Sequence, residues 1–232
     1  MSNKSKRKQQ VEAGRSGPHI AFKPLDEHQR QAVKLIDECP VTFLYGMAGT
    51  GKTTVAAGMA LRMLSEKRIE KIVITRPYVS AGEKLGYLPG SLEQKFDPFV
   101  SPVRMIMEKI LGKSTAGRMM ASDQVCILPL AFMRGVTFDS TFMIMDEAQN
   151  STPEQMHLFL TRLGKSSKAV IAGDEFQCDL DYKSSKNGLS DAINRLSGVD
   201  GIGTFEFPPE SCQRHGLVSQ IDLRYKDGKK SG

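Results

Sequence analysis

The segment GMAGTGKT at residues 46–53 constrains the fold of this chain more than any other. It spells GxxxxGK[ST], leaves a short apolar run, VTFLYG (41–46), and enters a run of helical character, GKTTVAAGMALRML (51–64). A strand, a glycine-rich loop and a helix in that order make a cradle for phosphate. Gly46, Gly49 and Gly51 let backbone N–H groups turn inward, and the helix amino terminus adds positive potential. Lys52 is placed to reach β and γ phosphates, and the Thr53 hydroxyl to ligate Mg²⁺. The candidate nucleotide-binding set is therefore Gly46, Met47, Ala48, Gly49, Thr50, Gly51, Lys52, Thr53 and Thr54.

The rest of the chain repeats the grammar of that unit. LDEHQRQAVKLIDECP (25–40) reads as a helix capped by Asp26 and stopped by Pro40, and KIVITRP (71–77) as a second strand apolar on both faces. TFMIMDE (141–147), a helix from Pro153 to Leu163, KAVIAGD (168–174), a helix around Gly188 to Leu196 and GTFEF (203–207) follow. Strands alternating with helices predict an α/β fold, a mostly parallel sheet with helices on both faces. Residues 78–140 interrupt the alternation, with a helix expected from Ser101–Pro102 to Leu111. Val103, Ile106, Met107 and Ile110 keep helical spacing there and read as core, and the excursion as a lid or substrate platform.

Two further strand ends carry chemistry. FMIMDEAQN (142–150) ends in adjacent carboxylates: Asp146 can hold Mg²⁺ through water, and Glu147 can act as general base on an attacking water. A hydrolase needs both. KAVIAGDEFQ (168–177) places Asp174 at a strand tip and Gln177 three residues on, where a neutral amide can sense a γ phosphate; a plain turn after a strand reads equally well. Gln29, ahead of the first strand, is either an adenine contact or a helix-surface glutamine.

Composition narrows the class. With 232 residues, 40% hydrophobic and 25% charged, the chain suits one folded domain and excludes a collagen-like or wholly disordered protein. No run approaches the roughly 18–20 apolar residues that cross a bilayer, so the expectation is no membrane and a cytoplasmic protein. Cys39, Cys126, Cys178 and Cys212 are too scattered for a zinc site and read as reduced thiols. The net charge of +6 hints at a polyanion partner, but it sits at the ends. Residues 1–15 carry five basic and one acidic residue and residues 224–232 four and one, which leaves the body slightly negative.

GMAGTGKT, TRPYVSAGEKLGYLPG (75–90), PLAFMRG (129–135), MDEAQNSTPEQMHLFLTRLG (145–164), GDEFQCDL (173–180) and QRHGLVSQI (213–221) together resemble the PhoH-like family of P-loop ATPases over about residues 25–225. The resemblance implies a RecA-like ATPase core, similar to the first motor domain of superfamily-one helicases. It implies ATP and Mg²⁺ as cofactors, and RNA or single-stranded DNA as partner. Under it, Lys52, Thr53, Asp146 and Glu147 match the ATPase motifs and Gln177 the γ-phosphate sensor. Thr75 and Arg76 match a helicase-like nucleic-acid contact, Arg134 is a second such candidate, and Arg214 matches an arginine that reaches a γ phosphate. The expected division is a basic tail at 1–20, an ATPase domain at 21–225 and a second basic tail at 226–232. With no residues for a second motor lobe, a homo-oligomer is expected, a ring of six, in which Arg214 serves a neighbour. Two other readings stay open: an ATP-binding regulatory module with little turnover, and a P-loop kinase with 78–140 as acceptor lid.

Overall fold

Six apolar runs pair into one all-parallel sheet among the described residues, in the order β3-β2-β4-β5-β1-β6. The strands are β1 (Val41–Gly46), β2 (Lys71–Thr75), β3 (Val125–Ile127), β4 (Thr141–Met145), β5 (Lys168–Gly173) and β6 (Ile202–Phe207). The helices are α1 (Glu27–Glu38), α2 (Lys52–Ser65), α3 (Leu92–Leu111), α4 (Lys113–Ala121), α5 (Pro153–Leu160) and α6 (Gly188–Leu196). The computed structural model describes residues 20, 22–77, 92–175, 177, 187–213, 216, 217, 221 and 224, with backbone alone for 92–100.

The strands are apolar on both faces because both are covered. Leu44, Ile72, Ile74, Phe142, Ile144 and Val170 join the core beneath α1–α4. Their alternating neighbours, Phe43, Val73, Met143, Met145 and Ile171, join a second core with Met156 and Phe159 of α5 and Leu189 of α6. No described helix is long and apolar enough to cross a membrane.

Asp26 caps α1 as expected, accepting the Gln29 N–H at 2.7 Å, and α6 has the expected bounds. Other elements differ from the sequence expectation. β2 stops at Thr75 and β4 at Met145, so Arg76 and Asp146 lie just past the ladder. α3 opens at Leu92 rather than at Ser101–Pro102. A proline inside a helix loses a hydrogen bond and crowds the carbonyl four residues back, at about 3 kcal/mol, and buried Val103, Met107 and Ile110 on the inner face of α3 offset that cost. α4 and the three-residue β3 escape the sequence reading, since a strand that short shows no period. The basic tails and residues 78–91 lie outside the described residues.

Sheet order positions the site. In a parallel sheet every strand ends on the same edge. The consecutive strands β2, β4, β5 and β1 deliver Thr75 and Arg76, Asp146 and Glu147, Asp174, and the glycine loop side by side.

Candidate functional site

The loop between β1 and α2 takes its shape from three glycines, with φ of 122° at Gly46 and 87° at Gly49 and Gly51. This region disfavours any residue with a Cβ. A Cβ at Gly46 would also run into the Phe207 carbonyl of β6, and one at Gly51 would come within 2.7 Å of the Gln29 Nε2. Lys52 opens α2 and is buried, with 8% of its surface exposed. Its Nζ donates to the Gly46 and Met47 carbonyls at 2.7 Å each and lies 3.4 Å from the Thr50 hydroxyl.

Opposite the loop, the Thr53 hydroxyl donates to Asp146 Oδ1 at 2.6 Å, and the Asp146 N–H donates to the Thr75 carbonyl at 2.9 Å. Asp146 is only 6% exposed. Burial pushes its carboxyl above the usual carboxylate range and the neighbouring Glu147 adds to the rise, while the Thr53 hydrogen bond and Arg76 oppose it. Glu147 follows with φ 52°, ψ 42°, a left-handed conformation that is uncommon away from glycine and asparagine. Arg76 Nη2 is 2.8 Å from Glu147 Oε1, and Gln149 Nε2 donates to Glu147 Oε2 at 2.7 Å.

Gln149 is buried and knits the ends of β4 and β5 together. Its Nε2 also donates to the Gln177 carbonyl at 3.3 Å, and its Oε1 accepts the Asp174 N–H at 3.0 Å. Gly173 makes room for it, since a Cβ there would press on the Gln149 side-chain Oε1 and on Leu189. Asp174 in turn accepts the Ala48 N–H of the glycine loop at 2.9 Å. Glu147, the loop and the end of β5 therefore form one hydrogen-bonded chain.

A cavity of about 220 Å³ opens between these groups, lined among others by Gly49, Lys52, Thr53, Asp146, Glu147 and Gln177. Thr54 also lines it, and so does Ile106 of α3, so the 78–140 excursion reaches the site. The Gln177 N–H donates to the Asp174 carbonyl at 3.1 Å. Gln29 is not a surface residue: it is 2% exposed, its Nε2 donates to the Thr50 carbonyl at 3.1 Å and its Oε1 accepts the Leu25 N–H at 2.9 Å. Thr75 is fully buried and its hydroxyl has no partner among the described residues. Arg134 is exposed beyond β3, away from the cavity lining, and Arg214 lies outside the described residues.

Sequence reasoning missed Gln149 and the segment before Arg214. The Gln213 N–H donates to the Gly49 carbonyl at 2.9 Å, its Nε2 lies 3.3 Å from Asp26, and Ser211 Oγ lies 2.9 Å from His28 Nδ1. This segment ties the loop to the start of α1. The one signal for Gln149 was its place two residues after Glu147; the direction of its amide depends on the end of β5.

The residues present suit a nucleotide and its cation. Positive-φ glycines and a buried lysine beside a cavity fit a phosphate chain. Thr53 Oγ1 and Asp146 Oδ1 are hard oxygen donors side by side, and Mg²⁺ binds through one or two carboxylates plus substrate phosphates and water.

The family model described as PhoH-like protein matches residues 21–226. A PhoH-like protein of Bacillus subtilis is 45% identical over 197 residues, covering 85% of this chain and 61% of that one. Protein PhoH of Escherichia coli K12 is 39% identical over 197 residues, covering 84% and 55%. The chain thus spans little more than half the length of these relatives. The fold is that of a RecA-like P-loop NTPase, all-parallel with the glycine loop leaving an interior strand. The large terminase of a thermophilic bacteriophage shares it, with a TM-score of 0.52 at 10% identity over 88% of this chain and 50% of that one.

Proposed function

Because the chain belongs to the PhoH-like family, we propose that it is a Mg²⁺-dependent ATPase whose hydrolysis is coupled to binding and remodelling RNA or single-stranded DNA. One observation carries the catalytic half: Lys52, Thr53, Asp146 and Glu147 line a single cavity, with the Thr53 hydroxyl on the Asp146 carboxylate.

The chemistry follows from that arrangement. Lys52 exchanges the Gly46 and Met47 carbonyls for the β and γ phosphates, and the loop N–H groups hold the same chain. Thr53 and Asp146 would hold Mg²⁺, which would supply neutralisation of the charge on the phosphates. Glu147 takes a proton from water as that water's oxygen attacks the γ phosphorus, and the bond to the ADP oxygen breaks. Gln177, at the cavity wall, orients the water or senses the γ phosphate, and Gln29 braces the loop beside the adenine side. Arg76 and Arg134 serve the nucleic acid, whereas Thr75 is fully buried and reaches it only by positioning Arg76. The proposal extends to a homo-oligomer, a ring of six, in which Arg214 of one copy serves the next.

The presence of Glu147 speaks against a binding module without turnover. Ile106 at the cavity favours one rival, a kinase in which the excursion receives an acceptor. Phosphate release from ATP and Mg²⁺ with no acceptor present, measured with and without single-stranded RNA and DNA across salt, separates them. Turnover that rises with polymer and falls steeply with salt is expected. Release only when an acceptor is added would mean a kinase.

A further inference from the structure

We propose that Arg76 restrains the general base in the resting protein, and that a phosphate of a bound single strand releases the base by drawing the guanidinium away. This rests on the ATPase reading above.

The two partners of the Glu147 carboxylate among the described residues differ in kind. Gln149, on Oε2, is 1% exposed and is tied at its other end to the Asp174 N–H, so it is a built-in support. Arg76, on Oε1, lies one residue past the end of β2, with its side chain 25% exposed and that of Glu147 38% exposed. An ion pair open to solvent exchanges partners readily, whereas a buried amide held at both ends does not. While Arg76 holds Oε1, the carboxylate is turned to a cation instead of to a water. A planar guanidinium fork also matches phosphate oxygens as well as it matches a carboxylate.

The chain after β3 offers further contacts of the kind a single strand uses. β3 is the neighbour of β2, and in the segment that joins β3 to β4 Arg134 is exposed and Phe132 is 58% exposed. A cation for phosphate beside a ring for a base is the pairing that unpaired nucleic acid uses.

The test is steady-state ATP hydrolysis by the unaltered chain, Arg76→Ala and Arg76→Lys, with and without poly(U). Affinity for a fluorescent ATP analogue verifies that each variant keeps its site. Arg76→Ala is expected to raise polymer-free turnover on the order of fivefold and to lose the response to poly(U); Arg76→Lys is expected to keep part of that response. A fall of polymer-free and polymer-stimulated rates in the same proportion would overturn the proposal, giving Arg76 a merely supporting place. So would a raised KM for ATP with the poly(U) response intact, which would assign Arg76 to the nucleotide. Turnover in the unaltered chain that ignores poly(U) would overturn release by a strand. No turnover at all in the unaltered chain would instead overturn the ATPase reading beneath it.

Discussion

Asp146 has 6% of its surface exposed, and the donor on its Oδ1 is a neutral hydroxyl. A carboxylate so placed is stabilised by a cation and destabilised without one. With the folded pKa raised above the unfolded value, the native state holds the proton more tightly than the unfolded chain does. Stability therefore falls as pH rises through the window between the ordinary carboxylate value, about 4, and the raised one. In EDTA and without nucleotide, Asp146→Asn is accordingly expected to melt above the unaltered chain at pH 7, and at about the same temperature near pH 4. For a chain of this size each kcal/mol gained moves Tm by roughly 2–4 °C. Thermal unfolding followed by circular dichroism reads the difference, and an Asn variant that melts lower at both pH values would show that the Asp146 charge is well accommodated. Asp146 and Glu147 were legible in the sequence as a strand end with two carboxylates. Gln149 was not, because its role is set by where β5 ends, by the space at Gly173 and by the Asp174 N–H.

At the scale of elements, the loop is fixed from several sides. Gln29 of α1 holds the Thr50 carbonyl, Gln213 holds the Gly49 carbonyl, Asp174 holds the Ala48 N–H, and Gly46 abuts the end of β6. Gly46→Ala meets two obstacles, a φ of 122° and the Phe207 carbonyl. It is expected to destabilise the fold by about 1–3 kcal/mol and to weaken binding of an ATP analogue. Urea unfolding beside a binding titration checks both, and unchanged affinity would show that β6 yields without disturbing the loop. The elements legible in the sequence are those with a clear period or cap, such as α1 behind Asp26 and α6 from Gly188 to Leu196. β3 is too short for a period, and the start of α3 is misplaced when a proline is given the meaning of a helix start.

For the whole molecule, the net charge of +6 says little about the site. The site itself gathers Asp146, Glu147 and Asp174 against Lys52 and Arg76, an arrangement that awaits a cation and a phosphate chain rather than a polyanion surface. Strand order is what makes the site one object: β2, β4, β5 and β1 are consecutive in the sheet although the chain visits them in another order. Sequence alone could name each strand end but not their adjacency. If that adjacency serves hydrolysis, Glu147 is needed for turnover and not for holding ATP. The decisive measurement is phosphate release and ATP-analogue affinity for Glu147→Gln beside the unaltered chain. Affinity should stay close to that of the unaltered chain while turnover drops by on the order of 10²–10⁴; a Gln variant that turns over ATP at the unaltered rate would contradict the assignment.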